Sequence, residues 1–154
     1  MSNIVEEIVD AAKAKIETLL PDFKELFYAT ELELNQCGKL DNRYGFLPEG
    51  ASFLTGKSMG FVTMEQTFQA IVTDEAQNKD SDAALQLKTN KLFEKAHEIV
   101  RCFQSQKLIL ATPTNCVLLV SGSSLEKPGF LNDNTSVVIR INFSIQYRFK
   151  ACHL

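Results

Sequence analysis

The chain lacks several features that would point at once to a chemistry or a location. None of its four cysteines, Cys37, Cys102, Cys116 and Cys152, lies in a C-x-x-C pair. No secretory leader is expected, and free thiols in a reducing cytosol are expected rather than a disulfide framework. Cys102, beside Val100 and Phe103, and Cys116, beside Val117, read as small buried hydrophobes rather than reactive thiols. Base is not in excess either. Lys and Arg total 16 against 19 Asp and Glu, leaving a formal net charge of −3 and a pI near 5.4. That is too little positive charge to neutralise phosphates along a duplex, which argues against sequence-specific DNA binding. Mild acidity fits a cytosolic enzyme, a scaffold subunit or a ring through which a polyanion slides. No apolar run approaches the ~18 residues of a membrane span, so a soluble protein with no membrane partner is expected.

Motifs of catalysis fail on inspection. Gly50 to Ser58 reads G-A-S-F-L-T-G-K-S, with five residues between the glycines where a P-loop has four. The next element is a strand from Phe61 rather than the helix whose N-terminus would meet phosphates. His97-Glu98-Ile99-Val100-Arg101 imitates H-E-x-x-H, but Arg101 stands where the second zinc ligand must be. The other histidine, His153, is next to the end of the chain, and His97 reads as a capping or ion-pairing residue of a surface helix. There is no G-x-S-x-G elbow. The acidic pairs Glu6–Glu7 and Glu31–Glu33 sit in exposed contexts that single out neither for acid–base work. No catalytic residue, cofactor site or metal ligand is therefore assigned, and an enzyme is not expected.

What is present is the pattern of a packed α/β chain. Nearly half the residues are apolar (45%) and 23% are charged, an ordinary globular balance. Asn3 stands at an N-cap position with Glu6 three residues on, and Ile4, Ile8, Ala12, Ile16 and Leu19 recur at helical spacing until Pro21. Asp22 to Gly60 carries mixed signals, with a brief strand expected at Arg43–Leu47 and a loop or hairpin tip at Gly50–Gly60. From Phe61 to Thr73, Val62, Met64, Phe68, Ala70 and Val72 alternate with Thr63, Glu65, Thr67, Gln69 and Thr73, a half-buried strand. A polar turn at Asp74–Lys79 leads to Asp80 or Ser81 as cap of a helix to about Gln104, with Leu85, Leu92, Ala96, Ile99 and Phe103 on its apolar face. Cys116–Val120 reads as a buried strand, and Gly122–Thr135, rich in Ser, Gly and Asn, as a long loop.

The last strand has the plainest alternation. Val137, Ile139, Ile141, Phe143, Ile145, Tyr147 and Phe149 share one face, and Val138, Arg140, Asn142, Ser144, Gln146, Arg148 and Lys150 the other. At ~3.3 Å per residue it would span roughly 46 Å, against a diameter of about 38 Å for a domain of this size. Such a strand must bend or project, and a projecting apolar face implies a neighbouring subunit to cover it. The order of elements predicts one α+β domain over residues 1–154: a mostly antiparallel β-sheet with two α-helices packed on one face. Arg140, Arg148 and Lys150 on the polar side suit an inter-subunit surface better than a nucleic-acid track, since no aromatics interleave with them.

Several stretches together resemble a known family. The helix Ile4–Leu20, the segment Arg43-Tyr44-Gly45-Phe46-Leu47-Pro48, the strand Thr63-Met64-Glu65-Gln66-Thr67-Phe68, the helix end His97-Glu98-Ile99-Val100 and the closing strand from Val138-Ile139-Arg140 to Tyr147-Arg148 are, in this order and spacing, similar to the tail terminator (tail completion) proteins of long-tailed bacteriophages. The resemblance covers nearly the whole chain. It implies a structural virion protein of the tail and neck, assembled in the host cytoplasm. Six copies would form a ring on the tail tube protein, stop tube polymerisation and present a surface to the head–tail connector protein, and DNA would pass through the lumen without specific binding. Under this reading Glu65, Arg140, Gln146 and Arg148 are expected at ring contacts. Thr55 and Lys57, in the Gly50–Gly60 stretch, and Leu125 and Lys127, in Gly122–Asn134, are expected in docking loops. The alternatives are a head-completion or neck adaptor protein and, in another class, a small cytosolic enzyme or ligand-binding domain with a pocket between helices and sheet.

Overall fold

A computed structural model describes residues 3–26, 41–54, 60–75, 81–104, 106–112, 116–131 and 136–150. The first helix, α1 (Ile4–Leu19), begins as its cap requires: the Asn3 side chain accepts the Glu6 N–H at 2.9 Å. It ends just before Pro21, which has no N–H to continue the ladder. Ile4, Ile8, Ala12 and Ile16 are buried along its inner stripe. After β1 (Lys24–Glu25) come β2 (Arg43–Leu54) and β3 (Phe61–Glu75), then α2 (Asp82–Phe103), β4 (Cys116–Leu125), β5 (Gly129–Leu131) and β6 (Ser136–Lys150). Ser81, not Asp80, caps α2, accepting the Ala84 N–H at 3.2 Å.

The strands form one sheet in the order β1-β2-β3-β6-β4, with β5 also on β6, and only the short β1–β2 pairing is parallel. Among the described residues, both helices pack on the same face, so the α+β architecture expected from the element order is what the chain adopts. The core forms where α1 and α2 meet Tyr44 and Phe46 of β2, Phe68, Ala70 and Val72 of β3, and the odd-numbered residues Val137 to Tyr147 of β6. Four aromatic rings make its hub. Phe46 stacks on Phe68 at 5.5 Å and on Phe103 at 6.2 Å, and Phe143 lies 5.3 Å from Phe103, separations that suit ring quadrupoles.

Three expectations need correction. The long strand β6 does not reach out unaccompanied. β3 pairs with it throughout, from Phe61↔Lys150 to Glu75↔Ser136, while β4 and β5 occupy its other edge. Its apolar face is covered by the chain's own helices, so the strand by itself supplies no argument for a neighbouring subunit. Second, Gly122–Leu125 belongs to β4 and Gly129–Leu131 to β5, where a long loop was expected. Backbone groups of β6 beyond Ile141 need partners, and small polar residues serve that pairing although their composition signals a loop. Third, β2 runs on through Pro48 and Gly50 to Leu54, with a register shift between Pro48 and Ala51. A bulge on an outer strand is where proline and glycine are tolerated.

Candidate functional site

Among the described residues no helix covers the sheet face turned away from α1 and α2. On it stand Phe61, Thr63, Glu65, Thr67 and Gln69 of β3 beside Asn142, Ser144, Gln146, Arg148 and Lys150 of β6, placed there by the two-residue alternation. Its polar groups are tied across strands. Ser144 Oγ donates to Glu65 Oε1 at 2.7 Å, and Gln69 Nε2 donates to Asn142 Oδ1 at 3.2 Å and to Glu126 Oε2 at 3.3 Å. The Arg148 guanidinium lies 4.8 Å from the centroid of the Phe61 ring, a cation–π arrangement. Gly122, opposite Ser144 on β4, leaves a shallow polar groove of about 310 Å³ between Thr67, Ser124 and Asn142. Towards Thr73 the same face closes over: Ile71, Thr73 and Val138 are buried, and Thr73 Oγ1 donates to the Asp41 carbonyl at 2.8 Å.

The structure brings three of the four expected ring-contact residues together. Glu65 and Gln146 are register partners, and Arg148 lies one step along the same face. Arg140 is six residues from Gln146, roughly 20 Å at strand rise, half-buried opposite Ile71. Of the expected docking loops, Thr55 and Lys57 lie outside the described residues. Leu125 is corrected: it ends β4 and packs partly buried against the core, because its parity on β4 points it to the helix side. Lys127 is exposed in the connection to β5. His97 is exposed on α2, 6.2 Å from the Phe93 ring, so its neighbour is an aromatic ring rather than the expected cap or ion pair. Cys102 is a half-buried free thiol rather than a fully buried one, and Cys37 and Cys152 lie outside the described residues.

A second concavity, of about 610 Å³, opens where the N-terminus of α1 meets the far end of the sheet, lined mainly by Ile4, Val5, Met64, Tyr147 and Phe149. Below it lies a buried polar link. Tyr147 Oη donates to Gln66 Oε1 at 2.6 Å, and Gln66 Nε2 donates to the Glu49 carbonyl at 2.8 Å. Burial raises the Tyr147 hydroxyl above its ordinary value of 10.0, which keeps it the donor. On the other flank of α1, Glu7 is buried and accepts the Thr112 hydroxyl, fastening the 106–112 segment to the helix.

Sequence reasoning missed Phe61, Gln66, Ile109 and Leu119. Gln66 had a signal, since it shares parity with Met64 and Phe68. The others had none, because exposure of an apolar side chain is decided by what packs over it. Among the described residues no group of three or more His, Cys, Asp or Glu is placed to hold a metal ion, and no helix is long and apolar enough to cross a membrane. No family model matches this chain, and no curated protein matches it.

Proposed function

We propose that this chain is a structural assembly protein whose copies form a ring at the head-proximal end of a phage tail tube, ending tube growth and offering the connector a docking surface. The observation that carries the reading is the uncovered sheet face, where Glu65, Gln146 and Arg148 stand together with the exposed Phe61 and Leu119. Aromatic, aliphatic and Arg side chains on one surface are the composition of interface centres. The family resemblance of the segments that build this face, Thr63–Phe68 and Val138–Arg148, supports the same assignment. The mechanism is steric: one end of the ring matches the growing tube and the other does not reproduce it, so no further tube subunit docks.

The test is removal of the chain from the assembling particle, read by electron microscopy. Overlong headless tubes are expected, with rings bearing a central hole when the purified chain is supplied. Tubes of normal length joined to heads would overturn the reading. The apolar concavity at Ile4, Met64 and Phe149 favours a second reading, a ligand-binding domain. A strictly monomeric protein that binds a small apolar molecule there would put that reading first.

A further inference from the structure

We propose that the Phe61–Arg148 patch on the helix-free face docks against the α1–Ile109 side of a second copy of this chain. The inference rests on the ring reading and names the contact that would close it. Two of the places on the described surface where a large apolar side chain stands exposed beside charge are of opposite sign. On the sheet, Phe61 and Leu119 are each 39% exposed, and the two cations Arg148 and Lys150 share their face. Among the described residues Arg148 has the Phe61 ring as its one partner, which leaves its N–H groups to reach outward.

The other place is on the helix layer. Ile109 is 93% exposed, and with Leu110 and Ala111 it borders a groove of about 380 Å³ whose other wall is Glu7, Asp10 and Ala11 of α1. The described lining of this groove holds two acids, Glu7 and Asp10, and no base. Asp10 is exposed and has no ion-pair partner among the described residues, and Lys107 is the one base of the 106–111 segment. Acid therefore prevails here, as base prevails around Phe61.

Two arguments choose a second copy, arranged head to tail. The patches have opposite sign, so they attract each other, whereas a two-fold dimer through either patch alone would set like charges face to face. They also lie on opposite layers of the molecule, one on the sheet and one on the helices. Contact between two different patches is heterologous, the kind of contact that builds a ring when the rotation between successive copies closes and an open filament when it does not.

The test is charge reversal in the full chain, with self-association followed by sedimentation over a concentration series and folding checked by circular dichroism. Asp10→Arg and Arg148→Glu should each weaken association roughly tenfold, as should Ile109→Asp, and the double variant D10R/R148E should regain most of the loss because the pair is restored in reverse. Association unaffected by the single reversals, a double variant no better than the singles, or wild-type protein that stays monomeric throughout would overturn the contact. Rings that persist through every reversal would overturn this contact and leave the ring reading standing. Reversals that behave as expected, in a protein whose loss leaves tails normal, would instead overturn the terminator reading and keep the contact.

Discussion

On β6, Phe143 is 1% exposed and lies against the rings of Phe46 and Phe103, while the next residue, Ser144, points to the helix-free face and donates to Glu65. One backbone thus carries two surfaces of different use. The helix side is a continuous core in which every odd-numbered position from Val137 to Tyr147 is at most 3% exposed. The other side keeps half-buried polar groups bonded to one another across strands. Stability is concentrated on the first surface, since burying a large apolar side chain is worth about 1.5–3 kcal/mol, whereas exposed polar contacts are worth a fraction of that. The second surface can therefore vary with a partner at little cost to the fold.

The sharpest way to break this contrast is to alter neighbours on the same strand. Phe143→Ala should cost about 3–5 kcal/mol, as cavity formation does in well-packed cores, read from the denaturation midpoint. Tyr147→Phe removes only a hydroxyl, but it leaves Gln66 Oε1 buried without its donor. A loss of about 1–3 kcal/mol is expected, and a loss near zero would show that Gln66 re-pairs.

The same hydroxyl makes the helix side sensitive to alkali. Burial raises Tyr147, and burial followed by the charges of Glu17 and Glu25 raises Tyr44, above 10.0. The folded state holds these protons more tightly than the unfolded chain. Their contribution is therefore fully present below pH 10 and is lost as pH rises through the folded-state values. Stability followed by urea titration should fall above that pH, and less steeply in Tyr147→Phe. Asn3→Ala, at the end of α1, should cost about 1 kcal/mol through loss of the cap. Ser144→Ala closes the series at the small end, with a change within about 0.5 kcal/mol. A larger loss would mean that the Glu65 bond holds the polar face together.

Much of the helix side was legible in advance. Asn3 as the first cap and Asp80 or Ser81 as the second follow from side chains that can accept a helix N–H, and the stripes Ile4–Ile16 and Leu92–Phe103 and the alternation of β3 and β6 follow from local periodicity, which reports which side of an element is apolar. The segments that misled were those whose structure depends on a distant partner. Ser123 and Ser124 read as loop, yet Ser123 pairs with Phe143 in the sheet and donates to Gln104 at the end of α2, 2.8 Å away. Pro48 and Gly50 read as breaks, yet they lie in an outer strand where a register shift absorbs them. At the candidate site, Glu65, Gln146 and Arg148 were named from their parity on two strands, and the pairing register then put them side by side.

The sequence by itself determined the class of fold, the two helices with their caps, the two long strands and which face of each is apolar, because these depend on residues within a few turns of one another. Tertiary structure alone decided that β6 is flanked by β3 on one edge and by β4 and β5 on the other, that Arg148 meets Phe61, and that Gln66 meets Tyr147 across 81 positions. It also decided that Ile109 stands in solvent while Leu108 beside it is buried. The physical reason is that pairing and exposure are set by what arrives from elsewhere in the chain, and no local pattern records the arrival.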